Sequence, residues 1–154
     1  MSDAIEAGEQ LQAAVLEILQ VAFALLASES PPPLGSSVKF YDHVPQYDET
    51  RPNSQYPYGG IGEIDYQDWG TKTEPGQQFE GDIELYSRYR GRKELLAIRR
   101  VCYAVLHEKN ITLGPGLHCV LFRVERASTE RMQDGATYRS VMRYSALVEN
   151  VASG

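Results

Sequence analysis

A strict alternation of side chains between residues 78 and 89 constrains the fold of this chain more than any other feature. One alternating set is small or apolar and comprises Phe79, Gly81, Ile83, Leu85 and Ser87. A period of two is typical of a β-strand with one face on a core and the other on solvent or a partner. The glycine-rich segment from Tyr56 to Glu63 predicts another strand with a bulge or a close backbone approach. The polar residues 64–76 between the two strands therefore predict a long projecting loop.

Two other segments have the three- and four-residue apolar spacing of amphipathic helices. The first runs from about Ala4 to Ala27 and is apolar on more than one side. Such a helix usually packs against two things, such as its own sheet and a neighbouring subunit. The prolines at 31–33 end it, because proline cannot continue a helix. The second helix is predicted from Gly91 to Lys109.

Three further strands complete the predicted order. They cover residues 38–43, 117–126 and 137–150, and Asp134-Gly135 marks a hairpin turn before the last one. The order α-β-β-β-α-β-β predicts an α+β fold in a single domain over residues 1–154. We expect a mostly antiparallel sheet of four to five strands with both helices on one face, and an irregular connection at residues 31–55.

The apolar run from Leu11 to Leu26 could be mistaken for a signal peptide or a membrane span. A signal peptide begins with a basic region, whereas the first basic residue here is Lys39 and acidic residues precede the run. The run is shorter than the roughly 20 residues that cross a bilayer, and it contains Glu17 and Gln20. We therefore expect a helix that is not in a membrane.

Charge is distributed unevenly along the chain. Residues 1–76 hold 12 acidic and 3 basic residues, a net charge of −9, whereas residues 77–154 hold 9 acidic and 12 basic residues, a net charge of +3. An overall charge of −6 does not favour general binding of nucleic acid. The uneven distribution suits copies that pack acidic face to basic face. Chance scatter over solvated faces is the alternative.

The residues that usually carry chemistry are dispersed. His43, His107 and His118 lie in separate elements without the spacing of metal ligands, so lone surface or core histidines are expected. Cys102 and Cys119 belong to no Cys-x-x-Cys pattern and are expected to be buried free thiols, with a disulfide as the alternative. No nucleophile elbow or Walker motif occurs in the sequence.

Two further groups of charged residues have both functional and structural interpretations. Asp82 and Glu84 share one face of the strand and could form an acid/base pair, but their neighbours indicate a solvated or subunit-facing surface. The basic run from Arg88 to Arg100 could contact nucleic acid. In an acidic chain, a solvated helix face or an interface patch explains that run better.

Several patterns occur here in the order in which they occur in a known family. They are Tyr56-Pro57-Tyr58, Thr71-Lys72-Thr73, the strand with Ile83-Glu84-Leu85-Tyr86-Ser87, the helix from Lys93 to His107, the strand from Leu117 to Glu125, and Asp134-Gly135 before a long final strand. With its amphipathic N-terminal helix, the chain resembles the tail-completion (tail terminator) proteins of long-tailed bacteriophages and gene transfer agents. The resemblance covers roughly residues 4–149, and residues 31–54 match least.

The resemblance implies a structural virion protein with no active site and no cofactor. It implies a homo-hexameric ring that caps the tail tube, ends tube polymerisation and joins the tail to the head-neck connector. The partners would be further copies of the chain, the tail-tube protein, the connector or adaptor, and the tape-measure protein. The protein would be assembled in the host cytoplasm and lie in the virion at the head-tail junction, meeting DNA only as it passes through the pore and meeting no membrane.

The resemblance places one candidate site, and the uneven charge of the chain places the other. The loop between the second and third strands would contact a partner or the pore, and its residues are Glu63, Asp65, Asp68, Trp69, Thr71, Lys72 and Thr73. The acidic members would form a lining to which passing DNA does not adhere. The basic helix would contact the acidic half of the next subunit through Arg92, Lys93, Arg99 and Arg100. One alternative is another ring protein of the neck. Two from different classes are a small α/β enzyme that uses Asp82 and Glu84, and a generic domain that binds an unknown small ligand.

Overall fold

A computed structural model describes residues 4–27, 38–42, 56–68, 76–88, 93–108, 111–114, 116–132 and 135–150. Its elements are α1 (Ala4–Ala27), β1 (Lys39–Tyr41), β2 (Tyr58–Asp68), β3 (Gly76–Ser87), α2 (Lys93–Leu106), β4 (Leu117–Arg131) and β5 (Tyr138–Asn150). The strands form one sheet in the order β1-β2-β3-β5-β4, antiparallel except for the parallel pair β1-β2. The predicted α+β fold and element order are confirmed.

Both helices cover the same face of the sheet. α1 packs over β1 and β2, whereas α2 packs over β3, β5 and β4. Each helix contributes one buried stripe, comprising Ala7, Leu11, Val15, Leu19 and Phe23 in α1 and Leu95, Ile98, Cys102 and Leu106 in α2. The alternating residues of β3 and β5 supply the other half of the core. The opposite face of the sheet, here called the open face, has no helix on it among the described elements.

The predicted loop at residues 64–76 begins too early, because β2 continues to Asp68. A bulge at Gly62 and Glu63 places these two residues opposite Asp82 alone. Ile61 and Ile64 therefore both pair with inward-facing positions of β3 although they are three residues apart. The bulge breaks the period of two, which is why the alternation seemed to end at Glu63. The predicted loop also ends one residue too late, because β3 begins at Gly76. Residues 69–75, between the two strands, lie outside the described residues.

Strand β4 is longer than its alternation predicted. It continues past Arg126 to Arg131 and stays paired with β5 as far as Tyr138. Residues 125–131 are mostly exposed, so backbone pairing and not burial holds them in the sheet. The predicted hairpin turn is confirmed, and Gly135 adopts a positive φ of 73° there, which favours glycine.

Helix α1 is attached to the sheet by polar side chains as well as by its apolar stripe. Gln12 Nε2 donates a hydrogen bond of 3.2 Å to the carbonyl oxygen of Gly62 in the β2 bulge. Gln20 Nε2 donates one of 3.1 Å to the carbonyl oxygen of Phe40 in β1. By length and composition the segment Ala7–Leu26 could cross a membrane. In this fold its stripe is buried against a sheet, as in the core helix of a globular domain.

Candidate assembly surfaces

An open groove of about 610 Å³ lies between α2 and the second half of β4. Its helix wall has the spacing of one helical face and comprises Leu96, Arg99, Arg100 and Tyr103. The floor and strand wall comprise Met142, Val124, Glu125, Arg126 and Ala127. We call this feature the α2–β4 groove. Apolar side chains are exposed in it, since Leu96 is 38% and Tyr103 46% accessible.

The end of α2 is fixed against β4 beside the groove by one backbone hydrogen bond and one to the His107 side chain. The Glu108 N–H donates to the carbonyl oxygen of Phe122 at 2.9 Å, and the Val124 N–H donates to Nδ1 of His107 at 3.2 Å. Arg99 Nη1 reaches across from α2 to Thr129 Oγ1 at 2.9 Å. The groove is therefore a preformed part of the subunit, with its two walls joined by hydrogen bonds.

The helix wall of the groove is basic. Arg100 is exposed, and it forms no ion pair within the described part of the chain. Ser145 Oγ donates a hydrogen bond of 2.6 Å to Glu125 Oε1, and among the described residues Glu125 forms no ion pair with Arg99 or Arg100. Of the predicted interface residues, the fold brings Arg99 and Arg100 together in the groove. Lys93 is exposed at the start of α2 but does not line it, and Arg92 lies outside the described residues.

The second surface is the side of α1 that faces away from the sheet. At every fourth position it carries an exposed residue, in the order Glu9, Ala13, Glu17, Val21 and Leu25. We call this line the outer row of α1. Val21 is 53% and Leu25 65% accessible, so the row combines carboxylates with large exposed apolar side chains. This confirms the prediction that α1 has apolar surface beyond its core stripe.

The open face of the sheet contains a different kind of charged cluster. Arg143 on β5 binds three carboxylates, Asp82 at 2.9 Å, Glu80 at 3.1 Å and Asp65 at 3.4 Å. The hydrogen bond to Glu80 is the main cause that raises the pKa of Arg143, and Asp82 adds to it. Three carboxylates share one guanidinium, so each charge in this cluster has a partner and the cluster keeps an excess of negative charge.

A second cluster lies beside it on the same face. Arg139 binds Glu84 at 2.6 Å and Glu130 at 3.1 Å, and its Nε donates to Tyr86 Oη at 3.2 Å. Burial alone would lower the pKa of Arg139, but the contacts with Glu84 and Glu130 outweigh it and raise the pKa. Burial, followed by the charge of Glu84, raises the pKa of Tyr86. Asp82 and Glu84, the candidate acid/base pair, are thus both held in ion pairs.

Three of the predicted loop residues belong to β2, and the other four lie outside the described residues. Glu63 is exposed in the bulge of β2, and Asp65 joins the Arg143 cluster. Asp68 is the last residue of β2, and its side chain is not described. Trp69, Thr71, Lys72 and Thr73 lie outside the described residues. Asp65 and the α2–β4 groove are on opposite sides of the sheet.

Tyrosines from β1, β2 and β3, and one from just before β2, pack together at one end of the open face. The rings of Tyr58 and Tyr86 stack at 4.9 Å, with Tyr56 5.1 Å and Tyr41 6.1 Å from Tyr58. Arg88 lies over the Tyr56 ring at 4.3 Å. The Tyr56-Pro57-Tyr58 pattern, whose Tyr56-Pro57 bond is cis, therefore has a packing role.

Cys102 and Cys119 are free and buried, as predicted. Burial raises the pKa of both thiols, that of Cys119 to about 11. Among the described residues, no group of three or more His, Cys, Asp or Glu side chains could hold a metal ion. Because their pKa values are raised, both thiols are protonated near neutral pH and pack as small apolar groups.

Sequence reasoning missed two parts of these surfaces. Leu96 and Tyr103 share a helical face with Arg99 and Arg100. The spacing is visible in the sequence, but the more regular apolar stripe of the buried side dominates the pattern of this helix. The pairing of β3 carboxylates with β5 arginines was not predictable from spacing, because it depends on the register that places Asp82 opposite Arg143. Opposite charges at alternate positions of two strands were the available signal.

Comparison with known proteins adds to this geometry. No curated protein matches the sequence. Among solved structures, a chain from the virion of a native gene transfer agent particle is 27% identical and superposes with a TM-score of 0.72. The match covers 97% of this chain and 100% of that one. The model of the family described as Tail completion protein gp17 matches residues 35–149, well over half of the chain. The chain therefore belongs to the tail completion protein gp17 family, the family that its sequence resembles.

Proposed function

We propose that this protein is a tail terminator that forms a ring on the end of the tail tube. Its family gives it a structural role in tail completion in the virion. In the proposed finer role, the ring ends tube polymerisation and joins the tail to the head-neck connector. The proposed partners are further copies of the chain, the tail-tube protein, the connector and the tape-measure protein, and the proposed position is the head-tail junction.

The observation that carries this proposal is the presence of two unlike surfaces at the two ends of the helix layer. The α2–β4 groove lies at the β4 edge, and α1 lies over β1 and β2 toward the other edge. Two different surfaces on one subunit support head-to-tail association, which gives a closed ring when the rotation closes. The open face supports an assembly role as well, because its best candidate catalytic pair, Asp82 and Glu84, is engaged by arginines.

The test mixes the purified protein with tail-tube protein and observes the tube ends by electron microscopy. We expect a ring at the tube end and no further growth on addition of tube subunits. A protein that never binds tube ends contradicts the proposal. Particles that lack the protein separate it from the neck alternative. Overlong or unfinished tails support a terminator, whereas normal tails without heads indicate a head-completion protein.

We further propose that Glu63, Asp65 and Asp68 form an acidic lining past which DNA moves without adhering, with Trp69, Thr71, Lys72 and Thr73 as the adjoining contact segment. The exposed bulge at Glu63 and the acid excess around Arg143 support this proposal. Neutralising the three acids should slow DNA delivery, because repulsion of the phosphates is lost. Unchanged delivery in the triple variant would remove the lining from the proposal.

A further inference from the structure

The α2–β4 groove has the shape and charge of a site for a helix. From Leu96 to Tyr103 its helix wall spans eight residues, and the seven steps between them rise roughly 10 Å at about 1.5 Å per residue. Met142 lies in the floor, exposed Leu96 and Tyr103 line the wall, and Arg99 and Arg100 carry the charge. A helix that fills it would present small or apolar side chains to the floor and carboxylates to the arginines.

The outer row of α1 has this composition. Helix α1 contains three glutamates and no lysine or arginine. Glu17 and Val21 stand one helical turn apart in the row, so an acid and an exposed apolar side chain fit within the length of the groove. Ala13 lies one turn before Glu17, and its small side chain allows the backbone of a docked partner to approach α1 closely.

We infer that the outer row of α1 of one copy docks into the α2–β4 groove of the next copy. Glu17 then lies near Arg99 and Arg100, and Val21 packs on the apolar lining. This inference rests on the proposed ring, and it names the two surfaces that form each contact around it. The outer row faces away from the sheet, and α2 lies between α1 and the groove, so a copy cannot fill its own groove and must take a neighbour's helix.

Charge favours a second copy over a lipid surface as the occupant of the outer row. Helix α1 is long and apolar enough to be considered for a membrane. However, Glu9 and Glu17 interrupt its exposed side, and an anionic membrane surface repels carboxylates. The arginines of the groove attract the same two residues. One chain therefore supplies both halves of a complementary pair.

The test uses two charge-reversed variants of the full chain. The groove variant is Arg99→Glu, Arg100→Glu, and the helix variant is Glu9→Lys, Glu17→Lys. Alone, each places like charges across the contact and should associate on the order of a hundredfold more weakly than the unchanged chain. Mixed in equal amounts, they should assemble again, because an alternating ring has opposite charges at every contact. Native mass spectrometry reports the assembly and circular dichroism the folding of each variant.

A single groove variant, Arg100→Glu, is also made and should assemble more weakly than the unchanged chain. Its matched control is Arg123→Glu. Arg123 is exposed and pairs with Ser145 on the open face, so the same charge change falls outside the groove. We expect the control to assemble normally. Unimpaired assembly of both charge-reversed variants, or no recovery on mixing, overturns the inference. Binding of the unchanged chain to phosphatidylcholine vesicles without self-association also overturns it.

Failure of this inference is distinguishable from failure of the proposed function. If charge-reversed variants still form rings that cap tail tubes, the contact surfaces are wrong and the terminator role stands. If the unchanged chain forms rings that do not bind tube ends, the terminator role fails. The mixing experiment still tests the docking of α1 in that case.

Discussion

The two sides of the sheet differ in whether their arginines pair with carboxylates of the same subunit. On the open face, Arg139 and Arg143 are held by carboxylates of the same subunit. On the helix-covered side, the layer of helices stops short of β4 and leaves a groove where Arg100 is exposed. Charge that is paired inside a subunit stabilises that subunit, whereas charge beside exposed apolar side chains is available to another molecule. Arg100 is therefore a candidate contact residue because it is exposed beside Leu96 and Tyr103, whereas exposure alone, as at Arg123 on the open face, does not define a contact.

The largest expected effect comes from disturbing the covered side at Gly81→Ala. A β-carbon there would overlap the ring of Tyr144, which lies directly over the glycine. Both groups are buried, so the expected loss is about 3 kcal/mol of unfolding free energy, measured by urea denaturation. In a Tyr144→Leu background the same change should cost clearly less. Equal costs in the two backgrounds would show that the ring is not the obstacle.

A smaller effect on the covered side is expected from pH. Burial raises the pKa of Cys119 from 9.0 to about 11 in the folded chain. The folded state therefore keeps the thiol proton to a higher pH than the unfolded state. The resulting contribution to the free energy of unfolding is complete below pH 9 and is lost as pH rises through 11. Two pKa units at about 1.4 kcal/mol per unit set an upper limit of roughly 2.8 kcal/mol. About 2 kcal/mol of this loss falls between pH 9 and 11, because the folded thiol is only half deprotonated at pH 11. Cys119→Ala should show a shallower decline in stability from pH 9 to 11, and an identical decline contradicts the assignment.

The open face should respond more weakly to Arg143→Met. The substitution keeps an unbranched apolar stem but removes the guanidinium, which leaves Asp65, Glu80 and Asp82 without their shared cation. We expect a loss of about 1 kcal/mol at low ionic strength that shrinks in 1 M salt, because partly exposed charges are screened. Arg123→Met on the neighbouring strand is the control and should change stability by less than about 0.5 kcal/mol. A loss that is independent of salt would indicate packing and not charge.

The smallest effect on stability is expected in the groove. Arg100→Ala should leave the unfolding free energy within about 0.5 kcal/mol, because this exposed side chain makes no ion pair within the described part of its own subunit. Assembly should weaken in the same variant, as seen by native mass spectrometry. A variant that loses stability as well would contradict the contrast between the two sides of the sheet.

Local patterns predicted most of the fold. The bounds of α1, the alternation of β3 and the Gly135 hairpin are each specified by neighbouring residues, through helical spacing, a period of two and a positive φ. The predicted ends of β2 and β4 were wrong for one common reason. A bulge at Gly62 and Glu63 shifts the alternation, and the exposed end of β4 has none, so in both cases pairing with another strand extends the element.

The candidate surfaces were only partly predictable. The sequence by itself determined the fold class, the family likeness, the acidic and basic halves of the chain, and the presence of Arg99 and Arg100 on one helix. Only the tertiary structure decided which charges are neutralised internally, since that depends on strand register and on where α2 stops short of β4. Register brings Asp65 and Asp82 to Arg143 across large separations in sequence, and no local pattern encodes such a contact.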